Sequence, residues 1–153
     1  MRTRITRLAA LDLFADCTRR QLEFIDRVSM PLAVPRGKVI CRQGDTGLEA
    51  FVVVDGVAAV TIDGVLVNTI GRGELIGEIA CFMRGVSRTA SVVTETDMSV
   101  LVFTRAEFRS MLYTVEPVAN KVYRIVAQRL LANASTAVTN PDACVGSRDH
   151  AYG

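Results

Sequence analysis

Gly77-Glu78-Ile79-Ala80-Cys81-Phe82-Met83-Arg84-Gly85-Val86-Ser87-Arg88-Thr89-Ala90-Ser91-Val92 is the stretch on which the reading of this chain turns. It sets Glu78 and Arg88 ten positions apart, around a short run that can form one helical turn and is broken by Gly85. A segment rich in β-branched residues, Thr89 to Thr94, follows. One acid, one base and backbone N–H groups at a helix start suit a sugar phosphate. The N–H groups and the arginine hold the anion. The carboxylate accepts a hydrogen bond from a ribose hydroxyl.

Around this stretch the chain divides into a helical entry, a β-rich middle, a helical exit and a polar tail. Thr18-Arg19-Arg20-Gln21 reads as a capping box, with Cys17 and Leu22 at the staple positions. Leu22, Ile25 and Val28 then recur at helical spacing. Strand signals cover about 38–41, 50–55, 57–62, 65–70, 89–95 and 98–103. Asp63-Gly64 is a strong two-residue hairpin signal, and Asp55-Gly56 is a second candidate between the preceding strands. Short antiparallel strands at this spacing argue for a sandwich or barrel. Thr104-Arg105-Ala106-Glu107 is a second capping box, stapled by Phe103 and Phe108, and opens a helix expected to end near Tyr113. Pro117 suits the first turn of a further helix. On that helix Val115, Val118, Val122, Val126 and Leu130 form an apolar face, and Glu116, Asn120, Arg124 and Gln128 a polar one. Residues 134–153 read as a polar, disordered tail after a single domain over 1–133.

The stretch from Gly77 resembles the phosphate-binding cassette of cyclic-nucleotide-binding domains, the family of cyclic-AMP receptors, kinase regulatory subunits and channel sensor domains. That pattern runs Gly-Glu-(Leu/Ile)-Ala, a short helix, then Pro-Arg-x-Ala-(Thr/Ser)-Val. Here Ser87 stands where the family usually has Pro, which loosens the loop but removes no ligand-contacting group. Val34 to Asp45 looks like the family's early strand pair, Phe51 to Val57 like its next strand, turn and strand, and Ile70 to Glu78 like its glycine-rich approach. The resemblance covers about residues 11–131. It implies a mainly β fold with flanking helices, an α+β arrangement in which an antiparallel β-roll or jelly roll carries an N-terminal helix and two C-terminal helices.

The resemblance also implies ligand-binding residues: Gly77, Glu78, Ile79, Ala80, Arg88, Thr89 and Ala90. Glu78 would take the ribose hydroxyl and Arg88 the cyclic phosphate. Ile79 and Ala80 would act through backbone N–H groups. The Thr89 hydroxyl would reach the phosphate or the purine. It can favour guanine, yet bacterial cyclic-AMP receptors carry a hydroxyl there too, and cyclic AMP is expected over cyclic GMP. Each residue has a plainer reading: Glu78 as a surface carboxylate, Arg88 as half of a structural ion pair, Thr89 as an ordinary strand residue.

Other chemistries lack their residues. The one histidine is His150, in the tail, so neither a histidine-ligated metal site nor a catalytic triad has its base or ligands. No cofactor beyond the cyclic nucleotide is expected, and no enzymatic activity. Cys17, Cys41, Cys81 and Cys144 show no C-x-x-C spacing, and reduced thiols are expected. A net charge of +2 over 153 residues is too small to imply nucleic-acid binding. Arg2, Arg4 and Arg7 read as a solvated helix start. No apolar run approaches membrane-spanning length and no signal peptide is evident, so the cytoplasm is the expected location.

The expected role is a regulatory sensor domain that resets its C-terminal helix when nucleotide binds. The alternative is an interaction or scaffold domain of the same fold with a degenerate, non-binding pocket. The effector would be a protein acting in trans or a domain missing from this chain. A homodimer through the C-terminal helix is possible, with Val122, Tyr123, Ile125 and Val126 as candidates to cap the purine or meet a second subunit.

Overall fold

The computed structural model describes residues 2–139, with side chains for 3–131. Two helices lead in, α1 (Arg2–Ala9) and α2 (Arg19–Val28). Eight strands follow: β1 (Met30–Val34), β2 (Val39–Cys41), β3 (Glu49–Asp55), β4 (Ala58–Ile62), β5 (Val65–Ile70), β6 (Leu75–Ile76), β7 (Ser91–Thr94) and β8 (Met98–Thr104). Helices α3 (Arg105–Thr114) and α4 (Glu116–Thr139) lead out. All pairings are antiparallel, in two four-stranded sheets of order β1-β8-β3-β6 and β2-β7-β4-β5. This is the expected β-roll with flanking helices.

The two sheets read differently in sequence because they are buried differently. In the first, β3 and β8 are covered on both faces. On β3, Ala50 and Val52 join the helices, whereas Phe51 and Val53 point at the second sheet. On β8, Leu101 and Phe103 face the helices, and Met98 and Val100 the other sheet. Strands buried on both faces become continuous apolar runs. In the second sheet only one face is covered, and β4 and β7 alternate buried and half-buried positions. Edge strand β5 leaves Val65, Leu66 and Val67 exposed, and a register shift at Val60 and Thr61 interrupts its ladder with β4.

Both capping boxes form as read. Thr18 accepts from the Gln21 N–H at 3.2 Å and Thr104 from the Glu107 N–H at 3.2 Å, each with its reciprocal bond. Phe103 and Phe108 meet edge to face, 5.9 Å between centroids. Asp63 and Gly64 both take positive φ, 52° and 81°, as a tight β4–β5 hairpin requires.

Several expectations are corrected. Asp55-Gly56 does not close a hairpin, because β3 and β4 lie in different sheets and the turn crosses between layers. Val34 and Val39 to Cys41 are not a strand pair either: β1 pairs with β8, and β2 with β7. Strands β1 and β6 are additional. Pro31 masks the first, and the position is tolerated because β1 is an edge strand. Helix α4 continues to Thr139, into the stretch read as a tail, while residues 140–153 lie outside the described ones. Val122 is wholly buried in the core that the helices share with the first sheet, so it is core and not a purine cap or subunit contact. Arg4 is not simply solvated. It pairs at 2.7 Å with the buried Asp26 of α2 and ties the two entry helices together.

Candidate nucleotide site

After β6 the chain turns through Gly77, at φ 78° and ψ 13°, into a short 3-10 turn, Glu78–Cys81. Glycine is needed here twice over. Its left-handed backbone suits no side chain well, and a Cβ would collide with the Arg88 guanidinium and lie 3.0 Å from the Glu49 carbonyl oxygen. Arg105, the first residue of α3, donates to the Ala80 carbonyl at 2.7 Å and holds the far end of the turn.

Arg88 enters from the opposite side, just before β7. Its N–H donates to the Asp45 carbonyl at 2.8 Å, and its carbonyl accepts from the Gly44 N–H at 2.9 Å. Thr46 and Ser87 pair antiparallel beside it. These contacts tie the backbone on either side of Ser87 to the 44–46 segment. The guanidinium is buried, donating to the carbonyls of Gly77 at 3.1 Å and Glu49 at 2.7 Å. Gly47 lets it pass: a Cβ there would sit 2.6 Å from the guanidinium carbon.

Glu78 is wholly buried, not a surface carboxylate. One of its oxygens, Oε1, accepts from Arg129 of α4, which also donates to the Leu75 carbonyl at 3.2 Å. The other, Oε2, is buried with no hydrogen-bond partner. An unmet buried carboxylate oxygen is costly, and it retains the capacity to accept a hydrogen bond. Burial pushes the Glu78 carboxyl above its ordinary range, opposed first by the charge of Arg129 and less by Arg88. Burial also pushes the neighbouring Cys41 and Cys81 thiols up to about 11, which keeps them protonated and unreactive at neutral pH.

The fold therefore brings Gly77, Glu78, Ile79 and Ala80 together with Arg88. Thr89 is half-buried beside them. Ala90 differs, since its side chain packs in the core between the sheets. The sequence reading missed Arg129, Arg105 and Gly47. Arg129 did leave a trace: Val118, Val122, Ile125 and Arg129 follow one another at spacings of four, three and four, which puts a cation on the inward stripe of α4. No cluster of metal-ligating side chains occurs among the described residues.

The chain is 30% identical over 122 residues to a cyclic nucleotide-gated potassium channel of Rhizobium etli, covering 80% of this chain and 34% of the channel. It superposes on the structure of a cAMP-binding acyltransferase from Mycobacterium smegmatis with a TM-score of 0.69 at 32% identity, over 86% of this chain and 42% of that one. It shares the fold of the Thermus thermophilus catabolite activator protein, with a TM-score of 0.71 at 24% identity over 85% of this chain and 62% of that one. The chain spans about a third of the length of the channels and the acetyltransferase among the curated relatives it matches. The family model for the cyclic nucleotide-binding domain matches residues 31–114, more than half of the chain, and the protein belongs to that family.

Proposed function

We propose that this domain is a non-enzymatic sensor that binds a cyclic nucleotide, cyclic AMP in preference to cyclic GMP, and signals through α4. The observation that carries the proposal is the unpartnered Glu78 Oε2, buried at the start of the 78–81 turn with Arg88 beside it. A 3′,5′-cyclic nucleotide has a single free ribose hydroxyl, and a lone acceptor oxygen matches it. Arg88 and the amides of the turn supply what one cyclic phosphate charge needs, without a metal. The cyclic-AMP preference is supported by the cAMP-binding acyltransferase at 32% identity. Thr89 is the residue of this chain that would reach the purine or the phosphate.

The effector is a partner in trans or a domain missing from this chain, and the expected setting is the cytoplasm. Among the described residues no helix is long and apolar enough to cross a membrane. A second copy of the chain would meet α4 through its exposed residues, Tyr123, Leu130 and Leu131, and not through Val122.

A second reading, a scaffold domain that does not bind nucleotide, is favoured by the burial of the site, with Glu78 at 0% and Arg88 at 7% exposure. Calorimetry with cyclic AMP, cyclic GMP and linear 5′-AMP separates the two. Binding of the cyclic forms alone, with cyclic AMP tighter, is expected. Silence with all three would leave only the scaffold. Cyclic GMP binding about tenfold tighter, roughly 1.4 kcal/mol, would reverse the base preference, and Thr89→Ala should then narrow the gap.

A further inference from the structure

We propose that the helix-side face of the first sheet carries a second ligand site, a notch that takes a medium-chain fatty carboxylate. It is independent of the nucleotide reading, since none of its residues belongs to the 77–81 turn or to the Arg88 loop. The notch holds about 220 Å³ between α1 and the sheet. Its floor follows from strand register. Side chains alternate faces along a strand, and Met98 and Val100 point at the second sheet, so Ser99 and Leu101 point towards the helices. On β1, Ala33 lies opposite Ser99 and Pro31 opposite Leu101. Leu101 is buried, but Ser99 is only half-buried and Ala33 is exposed. The helices thus leave this end of the sheet face open.

The wall is charged. Arg4, Arg7 and Leu8 fall at i, i+3 and i+4, so they share one face of α1, and all three line the notch. Arg4 is already engaged: it pairs at 2.7 Å with Asp26 of α2, which lines the notch too. Arg7 is exposed and makes no ion pair or hydrogen bond among the described residues. Two guanidiniums against one carboxylate leave one positive charge over an apolar floor, the complement of a monoanion with an apolar body. Neither half suffices alone. An exposed ion pair contributes little, so a bare anion has no firm hold on Arg7. A carboxylate can meet the guanidinium with two parallel hydrogen bonds while its chain covers Ala33, Val54 and Leu101. The space is smaller than ordinary ligand pockets of roughly 300–1,000 Å³, which limits the tail to a medium chain.

The test is calorimetry on the full chain with acetate, butyrate, hexanoate and octanoate, and with 1-octanol as the uncharged control. Affinity should rise along the acid series by up to roughly fourfold per methylene buried. Octanoate should bind about fivefold tighter than octanol, the upper end for an exposed charge pair. Arg7→Gln should bring the two to within about twofold, and should leave urea unfolding unchanged because Arg7 has no partner to lose. Ala33→Phe fills the notch from an exposed strand position and should abolish octanoate binding while cyclic AMP binding stays as in wild type. Acetate binding as tightly as octanoate, octanol matching octanoate on wild type, or octanoate binding that neither variant changes would each overturn the proposal, and so would silence of the wild-type chain with octanoate. A dimer of the wild-type chain that Ala33→Phe disperses would also overturn it, because a second copy would then fill the notch. Silence with cyclic AMP alone removes the nucleotide reading and leaves this site standing.

Discussion

Arg88 holds the empty fold as well as the proposed phosphate. Its guanidinium donates to two backbone carbonyls and lies against two glycines, so truncation strips partners from Gly77 and Glu49. Arg88→Ala should cost the nucleotide-free protein about 1–3 kcal/mol, the penalty for buried acceptors left unmet. Loss of stability therefore does not separate a structural from a ligand-binding arginine. Binding does: removal of the cation facing a desolvated phosphate should cost about 2–5 kcal/mol, or roughly 30-fold to several thousand-fold. Arg88→Ala that still binds cyclic AMP within threefold of wild type, as measured by calorimetry, would defeat the site assignment. Glu78 gives a prediction of the opposite sign to that for most carboxylates. Burial raises its folded pKa above the unfolded value. The native state then binds the extra proton, so the contribution of Glu78 to stability falls as pH rises from the ordinary carboxylate range through the raised folded value. Urea unfolding of wild type and Glu78→Gln across that range should show wild type losing ground steadily. A constant gap would mean that Glu78 is ionised throughout.

At the scale of elements, α4 is the helix through which the proposed signal would pass. Its apolar stripe, Val115, Val118 and Val122, is buried with the entry helices and the inner face of the first sheet, while Arg129 reaches the site. Tyr123 packs on Phe82, just past the 78–81 turn, at 5.9 Å between centroids. Two contacts thus join α4 to the cassette. A ligand that fits the site with α4 in this position shifts the population towards it. Amide hydrogen exchange should show added protection over residues 115–131 with saturating cyclic AMP, greatest towards Arg129. Equal protection with and without nucleotide would remove the switch. The helix was legible in sequence through its apolar spacing and its proline in the first turn. Its length beyond residue 133 was not, because small polar residues carry no amphipathic signal there.

At the scale of the molecule, sheet β1-β8-β3-β6 serves two cores, one with the helices and one with the second sheet. The site lies beside the end of β6, where the 78–81 turn leaves that sheet, facing the loop that leads into β7 of the other. That placement draws Glu78 and Arg88 from different sheets into one site. By itself the sequence determined the elements whose signals are local: both capping boxes, the Asp63-Gly64 hairpin, the long apolar runs of β3 and β8, and the glycine-bounded cassette. These follow from side chains within a few positions of one another. The tertiary structure alone decided what depends on distant partners. It put β3 and β4 in different layers, though an Asp-Gly pair joins them. It made Pro31 harmless by leaving β1 at an edge. It anchored Ser87 through Thr46, and it turned Ala90 into the core. Above all it carried Arg129 across the molecule to Glu78, 51 positions earlier in the chain. A buried charge takes its partner from whatever the fold brings within reach, and sequence separation carries no information about that.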